Sequence, residues 1–143
     1  MIFVATTCIF VVWKVYTLYI KISLANPALF QAAFLVEEGI EAMKFIRADN
    51  WTSYIAPLNL DVPYTLIFDG VRWGVTTTPI FIDNKFDRRV TLSEVYRDSN
   101  GDIAVSGTLD PKTKKLVSSV SWQKDAATTT RQITTYINNV FNN

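Results

Sequence analysis

The sequence predicts an α+β protein in which a long N-terminal helix, kinked near Pro27, packs by its C-terminal half on an antiparallel β-sheet head. Three observations predict this class. Residues 1–36 carry only two charges, residues 34–47 repeat apolar side chains with helical spacing, and later segments alternate with period two. Because one helical region precedes consecutive strands, α+β is the expected class.

The first element is an apolar segment long enough to span a bilayer, for which about 20 residues suffice. No basic leader or A-x-A-like cleavage site accompanies it, so it is not typical of a secretory signal peptide. We expect residues 1–33 to form a hydrophobic stem, or transmembrane half-helix, and residues 34–143 to form a globular head. The single cysteine, Cys8, is interpreted as a small hydrophobic side chain of the stem.

Two lysines interrupt the stem. Lys14 and Lys21 are seven residues apart and therefore share a helix face. They either extend toward lipid head groups or meet a protein partner, since charged side chains within a membrane segment usually face protein. Pro27 follows them. It removes a backbone donor and clashes with the preceding turn, which predicts a kink or a short melted stretch around Asn26-Pro27.

The amphipathic half-helix, residues 34–50, carries an acidic face. Glu37, Glu38 and Glu41 lie opposite its apolar stripe and are interpreted as a solvated or subunit-facing surface rather than a catalytic cluster. Asn50 ends the helix and begins an Asn-Trp-Thr triplet, which makes it a possible glycan acceptor. Its place at the helix end favours a capping and packing role.

The remaining chain predicts an antiparallel β-sheet within residues 64–140. The dipeptide Asp69-Gly70 separates two strand-like runs, 64–68 and 71–75, and is a strong hairpin signal. Further predicted strands, separated by polar turns, are residues 80–82, 88–96, 103–106, 116–122 and 131–137. Candidate core residues of the head are Trp73, Phe81, Val95, Val120 and Trp122.

The composition argues against several classes of function. The chain lacks histidine, the commonest general base and metal ligand, and it has no phosphate-binding, Cys-x-x-Cys or His-Glu-x-x-His motif. We therefore expect no enzyme activity, cofactor or metal site, and we interpret Asp98-x-Asn100-x-Asp102 as a polar turn in preference to a calcium loop. Residues 37–143 carry twelve basic and thirteen acidic groups, so nucleic acid is not expected as the main ligand.

Several stretches of the chain resemble the type IV pilin superfamily. The apolar segment leads into AFLVEEGIEA at 33–42 and FIRADNW at 45–51, which is similar to pilin-like proteins with an EGIE…R-x-x-N-W helix end, and residues 86–122 are similar to the same branch. The resemblance implies a structural subunit of an extracellular type IV pilus-like filament that polymerises through its N-terminal helices. The implied partners are identical subunits, the cytoplasmic (inner) membrane before assembly, and the pilus assembly machinery.

The chain differs from the pilin pattern near its start. Ala5 stands where pilins carry a glutamate that binds the N-terminal amine of a neighbour. We hypothesise that Lys21, and secondarily Lys14, pairs instead with Glu37, Glu38 or Glu41 of a neighbouring subunit or with its backbone carbonyls exposed near Pro27. A charge in a dry helical core is costly unless it is paired. The subunit-interface candidates are Lys14, Lys21, Pro27, Glu37, Glu38 and Glu41. The alternative function is a single-pass membrane-anchored protein, either minor pilin-like or a secretion-accessory or binding protein, that forms no bulk filament.

Overall fold

The computed structural model describes residue 9 and the ranges 12–20, 27–124 and 126–140. The chain divides into two compact units, Met1–Gln31 and Ala32–Asn143. No helix in the described ranges combines the length and the apolar character needed to cross a membrane.

Among the described residues, three helical segments precede the strands. Residues 12–20 are helical and are called α1, α2 covers Pro27–Asp49 and α3 covers Trp51–Tyr54. Pro27 occupies the first position of α2, where a fixed φ and a missing N–H are well tolerated. The predicted kink involves Asn26, which lies outside the described residues.

Within the described ranges, seven strands form two antiparallel sheets. They are β1 Thr65–Phe68, β2 Trp73–Thr76, β3 Phe81–Ile82, β4 Phe86–Arg97, β5 Ile103–Ala104, β6 Thr108–Lys124 and β7 Ala127–Asn138. Strands β1 and β2 form the smaller sheet. The larger sheet has the order β3-β4-β6-β7, with β5 also paired to β4. In the part of the chain that the structure describes, β7 pairs only with β6 and is therefore an edge strand.

The predicted fold class is wrong. Strands hold 44% of the described residues and helices hold 30%, so the protein is mostly β. The prediction was a long N-terminal helix, kinked near Pro27, that packs by its C-terminal half on the sheet. The structure has instead an α2 of 23 residues. The expectation gave most weight to the apolar N-terminal composition. The long strands β4, β6 and β7 are stabilised instead by cross-strand pairing and burial, which composition alone does not reveal.

The core of the second unit lies on one face of the larger sheet. Strand β4 buries every second residue from Phe86 to Leu92, and β6 does the same from Leu116 to Trp122, as expected for strands with one covered face. Residues of α2, α3 and the strands share this core, among them Ile40, Ala42, Met43, Ile46, Trp51, Val90, Leu92, Leu116 and Ile137.

The structure tests the predicted hairpin and the predicted core residues of the head. The hairpin predicted around Asp69-Gly70 is confirmed, because β1 and β2 pair antiparallel on either side of it. Three predicted core residues are buried at 4% exposure or less, namely Val95, Val120 and Trp122. Phe81 was also predicted in the core but is 56% exposed. It lies on β3, a two-residue strand at the end of the sheet order, where its ring is left largely open to solvent.

Candidate functional site

The first candidate site is an apolar surface on α1, called the stem surface. Its members are large hydrophobic side chains that are each 58% to 68% exposed: Val12, Trp13, Val15, Tyr16, Leu18 and Tyr19. With about 100° of rotation per residue, these positions cover most of the helix circumference, and Lys14 and Thr17 occupy the remaining side. A helix that is apolar on most sides is normally buried against protein or lipid. The stem surface is therefore suited to contact rather than to water.

Lys14 is the only charged residue of the segment 12–20. The neighbouring Thr17 hydroxyl lies 3.0 Å from the carbonyl oxygens of both Trp13 and Lys14, so its polarity is satisfied within α1. Lys21, the other lysine predicted at a subunit interface, lies outside the described residues. Pairing of these lysines with a neighbour's carboxylates therefore stays a prediction.

The three carboxylates predicted at the interface have different surroundings on α2. The Glu41 carboxylate accepts a hydrogen bond from Lys44 Nζ at 2.6 Å. The Glu38 carboxylate accepts one from Arg88 Nη1 at 2.5 Å, which ties it to β4, and Glu37 is exposed. The structure does not gather these groups around one ligand site.

Asn50, the possible glycan acceptor, is the N-cap of α3. Its backbone is extended, with φ −164° and ψ 115°, and its side-chain oxygen accepts the backbone N–H of Ser53 at 2.7 Å. Asn50 therefore has a capping role, but it caps the start of α3 and not the end of the preceding helix, where the sequence placed it. Glycosylation of Asn50 stays a prediction.

Arg88 is a buried charged residue that no sequence signal identified. Its side chain is 6% exposed, and its partner Glu38 lies 50 residues away along the chain. The guanidinium carbon of Arg88 also lies 5.5 Å from the ring centroid of Trp73, a distance at which a cation and an aromatic face attract each other. Arg88 therefore connects α2, β4 and β2.

A close approach of α2 to the sheet accompanies this ion pair. A Cβ atom added to Gly39 would lie 2.3 Å from Ser118 Oγ, a distance shorter than any ordinary contact. The Ser118 hydroxyl is fully buried and donates a hydrogen bond to the Val36 carbonyl at 2.9 Å. A Cβ atom at position 39 would therefore require the Ser118 hydroxyl, or the helix itself, to move.

The second candidate site is an open cavity of about 480 Å³ beside the β1–β2 hairpin, called the aromatic cleft. Its rings come from Phe45 of α2, which is 65% exposed, Phe68, which is 55% exposed, and Trp73. Trp73 was predicted in the core but is only half-buried, and its ring lies 5.2 Å from that of Phe68. Exposed aromatic side chains that converge on a cavity are typical of a binding surface.

Arg72 is the basic residue of the aromatic cleft. Its Nη1 donates a hydrogen bond to the Tyr54 hydroxyl at 3.0 Å and lies 3.7 Å from the Asp49 carboxylate. At the hairpin tip, the backbone N–H groups of Arg72 and Val71 each donate to Asp69 at 2.8 Å. These two bonds hold the pKa of the Asp69 carboxyl below its ordinary value. The tip that borders the cleft is therefore well fixed.

The polar turn predicted at Asp98 has no sign of a metal-binding arrangement. The Asp98 carboxylate accepts the backbone N–H groups of Asn100 and Asp102, which is the bonding of an ordinary turn. Among the described residues, no group of three or more His, Cys, Asp or Glu side chains is placed to hold a metal ion.

Both candidate sites, the stem surface and the aromatic cleft, offer apolar contact. Comparisons of this chain with protein-family models, with curated proteins and with solved structures returned no match.

Proposed function

We propose that this chain is a structural subunit of an extracellular type IV pilus-like helical filament that polymerises through its N-terminal helices. The observation that carries the proposal is the stem surface. Six large apolar side chains of α1 are each more than half exposed in the single chain. Such a surface is stabilised only when something apolar covers it, because burying one large apolar side chain contributes about 1.5–3 kcal/mol.

The stem surface can be covered in two environments in turn. Acyl chains of the cytoplasmic membrane cover it before assembly, and stems of identical subunits cover it afterwards. Because lipid tails and apolar side chains are similar in polarity, transfer from one to the other costs little hydrophobic free energy. A head-to-tail contact that does not close on itself then produces a fibre rather than a ring.

The resemblance of residues 33–51 and 86–122 to pilin-like proteins supports the same proposal. The nearly balanced charge of the head also supports the proposal: residues 37–143 carry twelve basic and thirteen acidic groups. Heads with a large net charge of one sign would repel one another along a filament. The implied partners are further copies of this chain and an assembly apparatus in the membrane.

The direct test is electron microscopy of surface fractions sheared from cells that make this chain, with mass spectrometry of the fibres. The proposal expects fibres in which this chain is the main protein. A chain confined to the membrane fraction, with no fibres, would contradict the proposal and favour the membrane-anchored alternative.

A matched pair of variants identifies the surface responsible. Trp13→Ala with Tyr16→Ala removes two rings of the stem surface and should abolish fibres or reduce them severely, while the head still folds. Phe81→Ala removes an exposed ring of the head and should leave fibre yield unchanged. Equal effects of the two changes would contradict the role of the stem surface.

A further inference from the structure

We propose that strand β7, the open edge of the larger sheet, pairs with β7 of a second copy of this chain, antiparallel and about a two-fold axis. The larger sheets of the two copies then continue as one sheet across the contact. This inference goes beyond the proposed function and does not depend on it, because a two-fold contact closes after two copies whether or not a filament forms.

Strand β7 lacks the features that normally protect a sheet edge. Natural edge strands avoid pairing with other chains by being short, by carrying proline or lysine, by bulging, or by being covered. Strand β7 has twelve residues, Ala127–Asn138, with no proline, lysine or glycine and with one charged side chain, Arg131. Its register with β6 runs from Thr113 to Lys124 without a shift. In the part of the chain that the structure describes, β7 has no neighbour on its other side.

The opposite edge of the larger sheet is covered by the chain itself. Strand β4 pairs near one end with β3 and near the other with β5. Between them, Tyr64 and Val90 exchange two backbone hydrogen bonds of 2.8 Å, and the Asp61 N–H donates to the Leu92 carbonyl at 2.7 Å. The strands of the smaller sheet have four residues each. Within the described ranges, the long open edge that a second copy can offer to β7 is therefore its own β7.

One hydrogen bond shows which backbone groups of β7 point to the open side. In an antiparallel pair, residues that bond directly across alternate with residues whose N–H and C=O groups point away. The Asn139 N–H donates to the Lys112 carbonyl at 2.8 Å, and these two residues continue the register in which Thr113 lies opposite Asn138. Odd-numbered residues of β7 therefore bond to β6. The even-numbered residues from 128 to 138 direct their N–H and C=O groups at the open side.

One register of two copies pairs these groups along nearly the whole strand. It places Ile133 opposite Ile133 of the second copy, so that even-numbered residues face even-numbered residues, as Thr128 faces Asn138. Ile133 lies opposite Ser118 of β6 and thus on the core side of the sheet, yet it is 41% exposed. Contact with its counterpart covers this apolar side chain.

The other side chains of β7 fit the same register. Tyr136, which is 46% exposed, faces Thr130 of the second copy, and pairs of an aromatic and a β-branched residue stabilise sheets. The two Arg131 side chains are four residues out of register, or about 14 Å apart. That separation exceeds the screening length of about 8 Å at physiological salt, so the one charge of the strand does not oppose its own copy.

Cysteine cross-linking of the full-length chain in detergent tests the contact. In a Cys8→Ser background, Ile133→Cys should give a disulfide-linked dimer on mild oxidation. The reason is that facing residues without mutual hydrogen bonds have Cα atoms about 4.5 Å apart, which a disulfide can span. Thr128→Cys alone should give no dimer, since its two copies lie about 34 Å apart along the paired strands. Mixed with a chain that carries Asn138→Cys, it should give the dimer of the two different chains.

Dimers from Ile133→Cys and from the mixed chains, with none from Thr128→Cys alone, would support the pairing. A dimer from only one of the first two, or from neither, would overturn it, and so would an equal yield from Thr128→Cys alone. Fibres in sheared surface fractions are scored separately by electron microscopy. Fibres without the linked dimers would overturn this contact only, whereas linked dimers without fibres would support it and contradict the filament.

A second measurement changes the centre of the contact. Ile133→Lys places two ammonium groups directly opposite each other, and like charges in that position destabilise a strand pair. The yield of the mixed Thr128→Cys and Asn138→Cys dimer should then fall about tenfold, while Ile133→Val should leave it unchanged. Because position 133 is 41% exposed in the single chain, both variants should keep the thermal midpoint of the original. An unchanged dimer yield for Ile133→Lys would overturn the inference.

Discussion

Helices α1 and α2 differ in how far their apolar side chains are covered by the rest of the chain. Within the second unit, α2 covers Val36, Met43 and Ile46 to 4% exposure or less against the core, whereas the six large apolar residues of α1 remain more than half exposed. The partner of α2 is the sheet of the same chain. Under the filament proposal, the apolar residues of α1 are covered by lipid or by further copies of the chain. The comparison shows that similar apolar composition can be covered within its own unit in one helix and left exposed in another.

Side-chain size at the contact differs between the two helices as well. Small residues on the buried side of α2, Ala32, Gly39 and Ala42, let the helix approach the sheet closely. Residues 12–20 contain no glycine or alanine and present large, mostly branched or aromatic side chains instead. Under the filament proposal, the large side chains of α1 contact lipid first and neighbouring subunits later, whereas the small residues of α2 face one fixed partner, the sheet.

The largest expected effect separates the core of the head from the stem surface. Trp122 is 4% exposed and its ring lies 6.0 Å from that of Phe86, so Trp122→Ala should lower the free energy of unfolding by about 3–5 kcal/mol. Leu18→Ala, at a position 59% exposed, should leave head unfolding unchanged. Thermal melts of both variants in mild detergent measure this. Equal losses in the two melts would remove the distinction between the helices.

A second change tests the close approach of α2 to the sheet. Gly39→Ala places a methyl group against Ser118 Oγ and should cost about 1–3 kcal/mol, the usual range for overpacking. Adding Ser118→Ala removes that oxygen and should restore most of the loss, because alanine also favours the helix by about 1 kcal/mol relative to glycine. Chemical denaturation of the single and double variants checks this. A double variant no more stable than Gly39→Ala would show that the contact is limited by something else.

A third change concerns the ion pair that joins α2 to β4. Glu38→Gln leaves the Arg88 charge buried without its counter-ion. Because 45% of the Glu38 side chain is exposed, we expect a loss of about 1–2 kcal/mol, below the value for a fully buried pair. Glu41→Gln, which breaks the exposed pair with Lys44, is the control and should change stability by less than about 0.5 kcal/mol. Equal effects would mean that burial of Arg88 adds nothing to the pair.

The smallest expected effect depends on pH and concerns Asp110, near the start of β6. The carboxylate of Asp110 accepts a hydrogen bond from Arg97, and further ones from Thr113 and the backbone N–H of Lys112. These bonds hold the pKa of Asp110 below the ordinary value of 3.8, the bond from Arg97 having the largest effect. Since the folded-state pKa is the lower one, the stabilisation is complete above the unfolded pKa and is lost as the pH falls through the folded pKa.

Asp110→Asn should therefore lower stability at pH 7 by about 1 kcal/mol, the usual value of a hydrogen bond. The difference from the original chain should shrink below about pH 4. Denaturation curves between pH 7 and pH 3 measure it. A difference that is constant over this range would contradict the role of the ionised carboxylate.

Local sequence signals predicted the turns and several strands of the head. Asp69-Gly70 marks a hairpin because the tip needs an Asp carboxylate to bind backbone N–H groups and a glycine at φ +96°. Alternation in residues 116–122 predicted the buried side chains of β6 correctly, since a strand with one covered face has period two. These features depend on neighbouring residues and are visible in the sequence.

Features that join distant residues were not predictable in this way. The pairing of Arg88 with Glu38 depends on the packing of α2 against β4, and the exposure of Phe81 depends on the shortness of β3. The aromatic cleft depends on Phe45 and Trp73, which belong to elements that only the folded chain brings together. The fold class was mispredicted for the same reason, because the long pairing of β4, β6 and β7 outweighs the apolar N-terminal segment.

The bond between Ser118 and Val36 also has a consequence for the order of folding. These residues are 82 positions apart, whereas β6 and β7 pair from Lys124 with Ala127 onward. Closing a long loop costs more entropy than closing a short one, so contacts between near neighbours form faster. We expect the β6–β7 hairpin to form first and α2 to dock last. A newly made chain would then leave the apolar face of α2 uncovered while the sheet is assembling.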